Sequence, residues 1–310
     1  MAESPRRIDV HHHVTPPSYI AAASQGTYGN APRMNWSLAR SLEDMDKGGV
    51  ATAIISLPHP VTIWPKPVDE QRRLARDWNE FVAKMQQDHP GRFGLFASLP
   101  LLDIEGSLRE IEYALDVLKA DGINMMTNLG DKWLGHPHYD AIFAELHRRK
   151  AVVYTHPLAP TCLHDCLPGV NDSIVEFGSD TTRAIASLLF SGAATRFSNI
   201  EFIFSHAGGT MPFLVERFER APGRWAPAIE GGSIPILQRF YYDTAQAAHP
   251  WALMGLTRLV KSAQILFGTD FPYRTATETA QGLVDFGFPV ADLRAIDRGN
   301  AARLLPRWRD

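Results

Sequence analysis

Cysteine is scarce in this 310-residue sequence: there are two, Cys162 and Cys166, four positions apart. A disulfide framework is therefore not what holds the chain, and reduced thiols in a cytoplasm are the expectation. Long apolar runs are missing too. No stretch approaches the roughly 18 residues that a bilayer span requires. The opening MAESPRRIDV carries two arginines with no apolar run behind them, so neither a membrane helix nor a secretory signal is expected. Charge of one sign is also lacking. Lys and Arg total 31 against 34 Asp and Glu, a net charge of −3 with no long block of either sign. That balance argues against a nucleic-acid footprint and a polybasic membrane patch.

Short apolar runs, by contrast, recur throughout. Those over 8–12, 51–57, 93–99, 122–126, 151–155, 201–205, 240–243 and 264–268 are rich in Val, Ile and Phe, as strands buried on both faces of a parallel sheet must be. Between them, residues 70–87, 104–119, 139–149, 173–191, 211–220 and 250–261 space their apolar side chains at three and four, the period of a helix. Eight alternating units in about 300 residues predict a closed (β/α)₈ TIM barrel, with a doubly wound open sheet as the alternative. No linker, repeat or low-complexity tract interrupts the chain, so one domain over 1–310 is the expectation.

Chemistry in such a barrel sits where the strands end, and four of the predicted strands end in a candidate ligand. In Asp9-Val10-His11-His12-His13 the side chains of His11 and His13, two apart, face one side of the strand, and His12 faces the other. His156 closes Val153-Tyr154-Thr155-His156-Pro157, where the proline stops the ladder. His206 opens Ser205-His206-Ala207-Gly208-Gly209, which reads either as a functional histidine or as a glycine turn with a capping histidine. Asp270 follows the run 264–268 in Gly268-Thr269-Asp270-Phe271-Pro272. It is either a ligand or the N-cap of a following helix, and Pro272 and Tyr273 disfavour an immediate helix start. Taken together, His11, His13, His156, His206 and Asp270 suit a borderline divalent cation. Zn²⁺ is the first choice, with Mn²⁺ and Fe²⁺ as alternatives.

These motifs, DVHHH, THP, SHAGG and GTDFP in that order, resemble the amidohydrolase-related decarboxylases typified by aminocarboxymuconate-semialdehyde decarboxylase. The similarity extends over AIFAELHRRKAVVYTHP and the closing RGNAARLLP, and IDVHHHVTPP is particularly similar to the 6-methylsalicylate decarboxylase branch. The resemblance implies that His11, His13, His156 and Asp270 bind one metal ion and that His206 is an acid–base group beside it; a mechanism built on this makes Asp270 a proton relay as well as a ligand. Resorcylate-type members that carry glutamate at the position of His11 are a less close match. GINMMTN holds no lysine for the carbamate that bridges two metals in other amidohydrolases. The resemblance also implies a homodimer, with Arg224 reaching a partner's site.

The expected reaction is non-oxidative decarboxylation of a small aromatic or unsaturated carboxylic acid. A metal-dependent hydrolase or hydratase of a lactone or unsaturated acid is the alternative, and a non-catalytic metal-binding barrel is the reading from another class. His59 in SLPHP, with Trp64 and Trp133 on loops after the second and fourth predicted strands, are candidate substrate contacts; each is equally readable as loop or packing residue. Arg217 and Arg220 read better as a solvated helix face, and Cys162-x-His164-x-Cys166 as part of a loop over the site rather than a second metal centre.

Overall fold

All eight apolar runs form strands in the computed structural model, which describes residues 5–17, 35–58, 67–130, 132–163, 166–227 and 229–309. In chain order the strands are β1 (Arg7–His13), β2 (Val50–Ser56), β3 (Phe93–Ala97), β4 (Gly122–Met126), β5 (Asn128–Leu129), β6 (Lys132–Trp133), β7 (Val152–His156), β8 (Glu201–Phe204), β9 (Tyr241–Asp243) and β10 (Ile265–Leu266). Strands β5 and β6 form a small antiparallel hairpin; the other eight lie side by side in chain order, every pair parallel. A doubly wound sheet would reverse its strand order part-way, and this one does not. Its two edges meet. Val10 N–H donates to the Phe267 carbonyl at 3.0 Å, Asp270 N–H to that of His11 at 2.8 Å, and His13 N–H to that of Phe271 at 2.9 Å. The sheet is thus a barrel, with its edge groups paired across the seam.

Two apolar layers hold it. Inside the barrel Ile8, Val10, Ile54, Phe96, Tyr154, Ile203 and Leu266 pack together, with Leu305 and Trp308 of the C-terminal segment joining them. Outward-facing strand residues such as Ile55, Leu95, Ile123 and Val153 meet helix residues that include Trp78, Val82, Phe143 and Leu146. Each such side chain, fully buried, contributes about 1.5–3 kcal/mol through removal from water. Helices Val68–Asp88, Asp140–Arg149, Met211–Arg220 and Pro250–Leu259 fall where the three-and-four spacing predicts them. The predicted 104–119 helix is α-helical over Ile104–Glu112 and widens to a π turn over Tyr113–Val117. Among the helices outside the predicted set are Leu38–Lys47 and Ala276–Phe286. The second begins with a capping box between Thr275 and Glu278. No helix among the described residues is long and apolar enough to cross a membrane.

One irregularity aims the site. The register of β1 against β2 shifts between Asp9 and His12. Simple alternation would put Val10 and His11 on opposite faces, yet Val10 packs in the barrel interior while the His11 ring meets Tyr154 there. The bulge lets both point inward, a common use of bulges beside functional sites. His12 is left facing out, stacked on Phe271 at 4.6 Å.

Candidate metal centre

His11, His13, His156 and Asp270 come together at the C-terminal mouth of the barrel, all buried, with one ligand atom from each lying within 4.8 Å of the others. Each imidazole is turned by a bond on its far side. His11 Nδ1–H donates to Asp243 Oδ2 at 2.8 Å, His13 Nδ1–H to the Ser56 carbonyl at 3.0 Å, and His156 Nδ1–H to the Pro157 carbonyl at 3.0 Å. With Nδ1 so engaged, Nε2 of each ring is the atom left to carry a lone pair. The Nε2 atoms of His11 and His13 face each other at 3.0 Å. Asp270 Oδ1 lies 3.1 Å from the first and 3.2 Å from the second, and has no aligned hydrogen bond among the described residues.

A cation resolves this crowd of inward-facing acceptors. With bonds of ~2.1 Å, two ligands at a right angle stand ~3.0 Å apart, and two at the tetrahedral angle ~3.4 Å. The observed 3.0–3.2 Å spacings fit ligands of a single ion at near right angles. The charges agree with that fit. Burial disfavours a charged His11, but Asp243 and Asp270 outweigh it and push its pKa up to about 10, so a proton on His11 supplies positive charge in the metal-free chain. Burial lowers His13, and burial with the neighbouring His13, His11 and His206 imidazoles holds His156 well below the ordinary imidazole value. Burial alone would raise Asp270, yet the charge of His11 and the close approach of the His11, His13 and His206 rings hold it well below the usual carboxylate range.

His206 stands at the edge of this group, its Nε2 3.5 Å from Asp270 Oδ2 and its ring centroid 5.1 Å from that of His11. Its backbone N–H donates to Asp243 Oδ1 at 2.9 Å, so one carboxylate braces both His11 and His206. The SHAGG turn packs tightly beneath. A Cβ at Gly209 would lie 2.0 Å from the Gly178 carbonyl oxygen, so only glycine fits. Gly268 is equally constrained: a Cβ there would lie 2.9 Å from that of Asp243 and 3.1 Å from that of His11. Behind β1, buried Asp9 accepts from the His11 and Thr269 N–H groups and the Thr269 hydroxyl, tying the first strand to the segment bearing Asp270.

The remaining predicted contacts are dispersed. Trp133 lies in the β5–β6 hairpin, half-buried, its indole N–H donating to Asp180 Oδ1 at 2.7 Å. Arg224 is exposed on the turn after helix Met211–Arg220, its guanidinium 4.3 Å from the Trp225 ring centroid. Arg217 and Arg220 are exposed, and Arg220 pairs with Glu216. His59, Trp64 and His164 lie outside the described residues. Four residues at the mouth went unread in the sequence. Phe177 sets its ring edge-to-face on His156 at 5.9 Å, and Tyr273 on His13 at 6.4 Å. Asp243 holds His11. Gln246 Nε2–H donates to Asp270 Oδ2 at 3.0 Å. Asp243 had a signal, an aspartate directly after an apolar strand, as Asp270 has. Gln246 had none.

The amidohydrolase family model matches residues 8–307. This chain belongs to the amidohydrolase family. Among the relatives of this amidohydrolase, a 6-methylsalicylic acid decarboxylase of Aspergillus aculeatus is 34% identical, covering 97% of this chain and 96% of its own. A 6-methylsalicylic acid decarboxylase of Penicillium expansum is 32% identical over 97% and 96%. Among solved structures, the dihydroxybenzoic acid decarboxylase from Polaromonas sp. JS666, with bound manganese and the inhibitor 2-nitroresorcinol, superposes with a TM-score of 0.85. It is 22% identical over 97% of this chain and 96% of that one, a likeness of fold.

Proposed function

We propose that this amidohydrolase is a metal-dependent, non-oxidative decarboxylase of small aromatic acids of the hydroxybenzoate and 6-methylsalicylate type. The observation that carries this is the gathering of ligand atoms from three imidazoles and one carboxylate within 4.8 Å of one another at the barrel mouth, with a fourth imidazole beside Asp270. His11, His13, His156 and Asp270 would hold one divalent ion. Bound there, it would supply positive charge to fix a substrate carboxylate and its ortho oxygen. Three imidazoles favour Zn²⁺; the right-angled spacing and the manganese of the Polaromonas enzyme make Mn²⁺ the competitor.

Decarboxylation of an aryl acid must avoid a free aryl anion. His206 Nε2 delivers a proton to the ring carbon bearing the carboxylate. The bond to the carboxylate then breaks, its electron pair restores the aromatic ring, and CO₂ leaves. Phe177 and Tyr273, half-buried and half-exposed beside the metal histidines, offer faces against which a planar ring lies. His59, Trp64, Trp133 and Arg224 remain part of the proposal as substrate contacts, Arg224 through a partner subunit.

A homodimer belongs to the same reading. Helices Met211–Arg220 and Pro250–Leu259 meet through Pro212 and Gly255. Near that contact Phe213 is 89% exposed, Trp251 88% and Met254 60%, an apolar set that a second copy would cover. A single domain over 1–310 is supported by the family match from 8 to 307. Cytoplasmic residence is supported by two exposed, unpaired cysteines.

The test joins metal analysis to a CO₂-release assay over 6-methylsalicylate, hydroxybenzoates and aminocarboxymuconate semialdehyde. About one divalent ion per chain and CO₂ from an aromatic acid is the expected result. Metal without CO₂ from any of them would sink the decarboxylase and move the reading to lactone hydrolysis or hydration.

A further inference from the structure

Four residues other than glycine around the metal group have positive φ: His206 at 53°, Ala207 at 56°, Gln246 at 55° and Asp270 at 67°. Glycine takes such backbone freely and an L side chain resists it, so a side chain kept there is held by what it does. His206 and Asp270 already have roles and Ala207 continues the turn between them and the glycines. Gln246 is the one left over. It lies three residues beyond Asp243, on the segment after β9 that also braces His11 and His206. The segment is itself fixed, since Ala245 N–H donates to Asp243 Oδ1 at 3.0 Å.

The two oxygens of Asp270 have different surroundings. Oδ1 faces the His11 and His13 Nε2 atoms at 3.1 and 3.2 Å. Oδ2 accepts the Gln246 amide at 3.0 Å and has His206 Nε2 at 3.5 Å. We infer that Gln246 is a positioning residue for the metal ligand Asp270. By holding Oδ2 it stops the carboxylate rotating, presents Oδ1 alone to the ion, and leaves Oδ2 beside the His206 ring. Asp243 and Gln246 thereby set two ligands, His11 and Asp270, from one four-residue stretch. Only a long amide reaches: the side chain must carry an N–H donor across from the neighbouring strand end. The inference rests on the metal-dependent reading above, and its readout is binding rather than turnover.

Two substitutions separate positioning from packing. Gln246→Met keeps the length and removes the donor. Gln246→Gly removes the side chain and relaxes the backbone. The measurements are the Mn²⁺ dissociation constant by chelator competition and the melting temperature of the metal-free protein. Both variants are expected to bind Mn²⁺ about 10- to 100-fold more weakly, the usual cost of losing a partner of a metal ligand. The metal-free glycine variant should melt within about 2 °C of the parent or above it, because its strain is gone. A methionine variant binding Mn²⁺ within about twofold of the parent, well short of that range, would overturn the assignment. So would a glycine variant whose metal-free fold collapses, since the role would then be structural. A parent that binds Mn²⁺ but releases no CO₂ would sink the decarboxylase reading and leave this inference standing. A parent that binds no metal would sink both.

Discussion

At the scale of single residues the proposed site divides labour between groups that would hold a cation and one that would move a proton. His206 lies outside the group of four, has no hydrogen bond at Nδ1 among the described residues, and its Nε2 lies beside Asp270. His206→Ala is therefore expected to retain its metal while losing turnover by about 10²–10⁴-fold, the range for a general acid–base group. Metal content and CO₂ release measured on one preparation check this, and activity within about tenfold of the parent would remove His206 from the role. Asp243 touches His11 and holds it in place. Asp243→Asn keeps the shape but reverses half the hydrogen bond, so metal affinity should fall about 10- to 100-fold; an unchanged dissociation constant would show that His11 needs no brace. His11, His13, His156, His206 and Asp270 were legible because each ends an apolar strand, where the barrel exposes its side chains. Gln246 was not legible, because its meaning is a distance in space between two loops. Phe177 was not either, because its helix reads as an ordinary amphipathic one.

Elements were legible in proportion to their burial. Strands buried on both faces must be continuous apolar runs, and all eight announced themselves. The bulge in β1 did not, since a shift of pairing leaves the composition untouched, though it decides which way His11 points. The β5–β6 hairpin is too short to show a period, so Trp133 read as a loop residue. At the opposite end of the barrel from the site, an element contact makes its own prediction. Asp121, just before β4, accepts the Leu95 N–H at 2.8 Å and the Trp308 indole N–H at 2.7 Å, joining β3, β4 and the C-terminus. Burial raises its pKa to about 6, and those donors only partly offset it. Its folded value lies above its unfolded one, so folding favours the protonated form. The stability it confers is whole below about pH 4 and is lost as pH rises to about 6. Asparagine does not titrate. The stability of the parent relative to Asp121→Asn should therefore fall by about 1–3 kcal/mol between pH 4.5 and 7.5, discounted for partial exposure. Urea unfolding at the two pH values measures it, and a constant difference would mean that Asp121 titrates normally.

For the molecule as a whole, two couplings follow from one chain: copy to copy, and metal to fold. If the apolar set on the two outer helices is covered by a second copy, Phe213→Glu with Trp251→Glu should yield a monomer by sedimentation, with the metal still bound. A parent already monomeric at micromolar concentration would dispose of the dimer. The metal coupling is sharper because its sign is fixed. In the metal-free chain His11, between Asp243 and Asp270, has a pKa of about 10 against an ordinary 6.5. A raised imidazole confers stability that is whole below about pH 6.5 and is lost as pH rises through about 10, on the order of a few kcal/mol. His13 and His156 are shifted the other way, so what they lose they lose at acid pH, outside this window. An ion held by His11 would take the place of its proton and supply the positive charge itself, so the loaded protein would have no such loss. The melting-temperature gap between metal-loaded and metal-free protein should thus widen by several degrees from pH 6.5 to 9.5. Metal binding near neutrality should also release about one proton, visible by calorimetry in buffers of different ionisation enthalpy. A gap that stays flat across that range, with no proton released, would mean that His11 is neutral in the metal-free chain. The cluster would then be held by packing alone rather than by a proton in the metal's place.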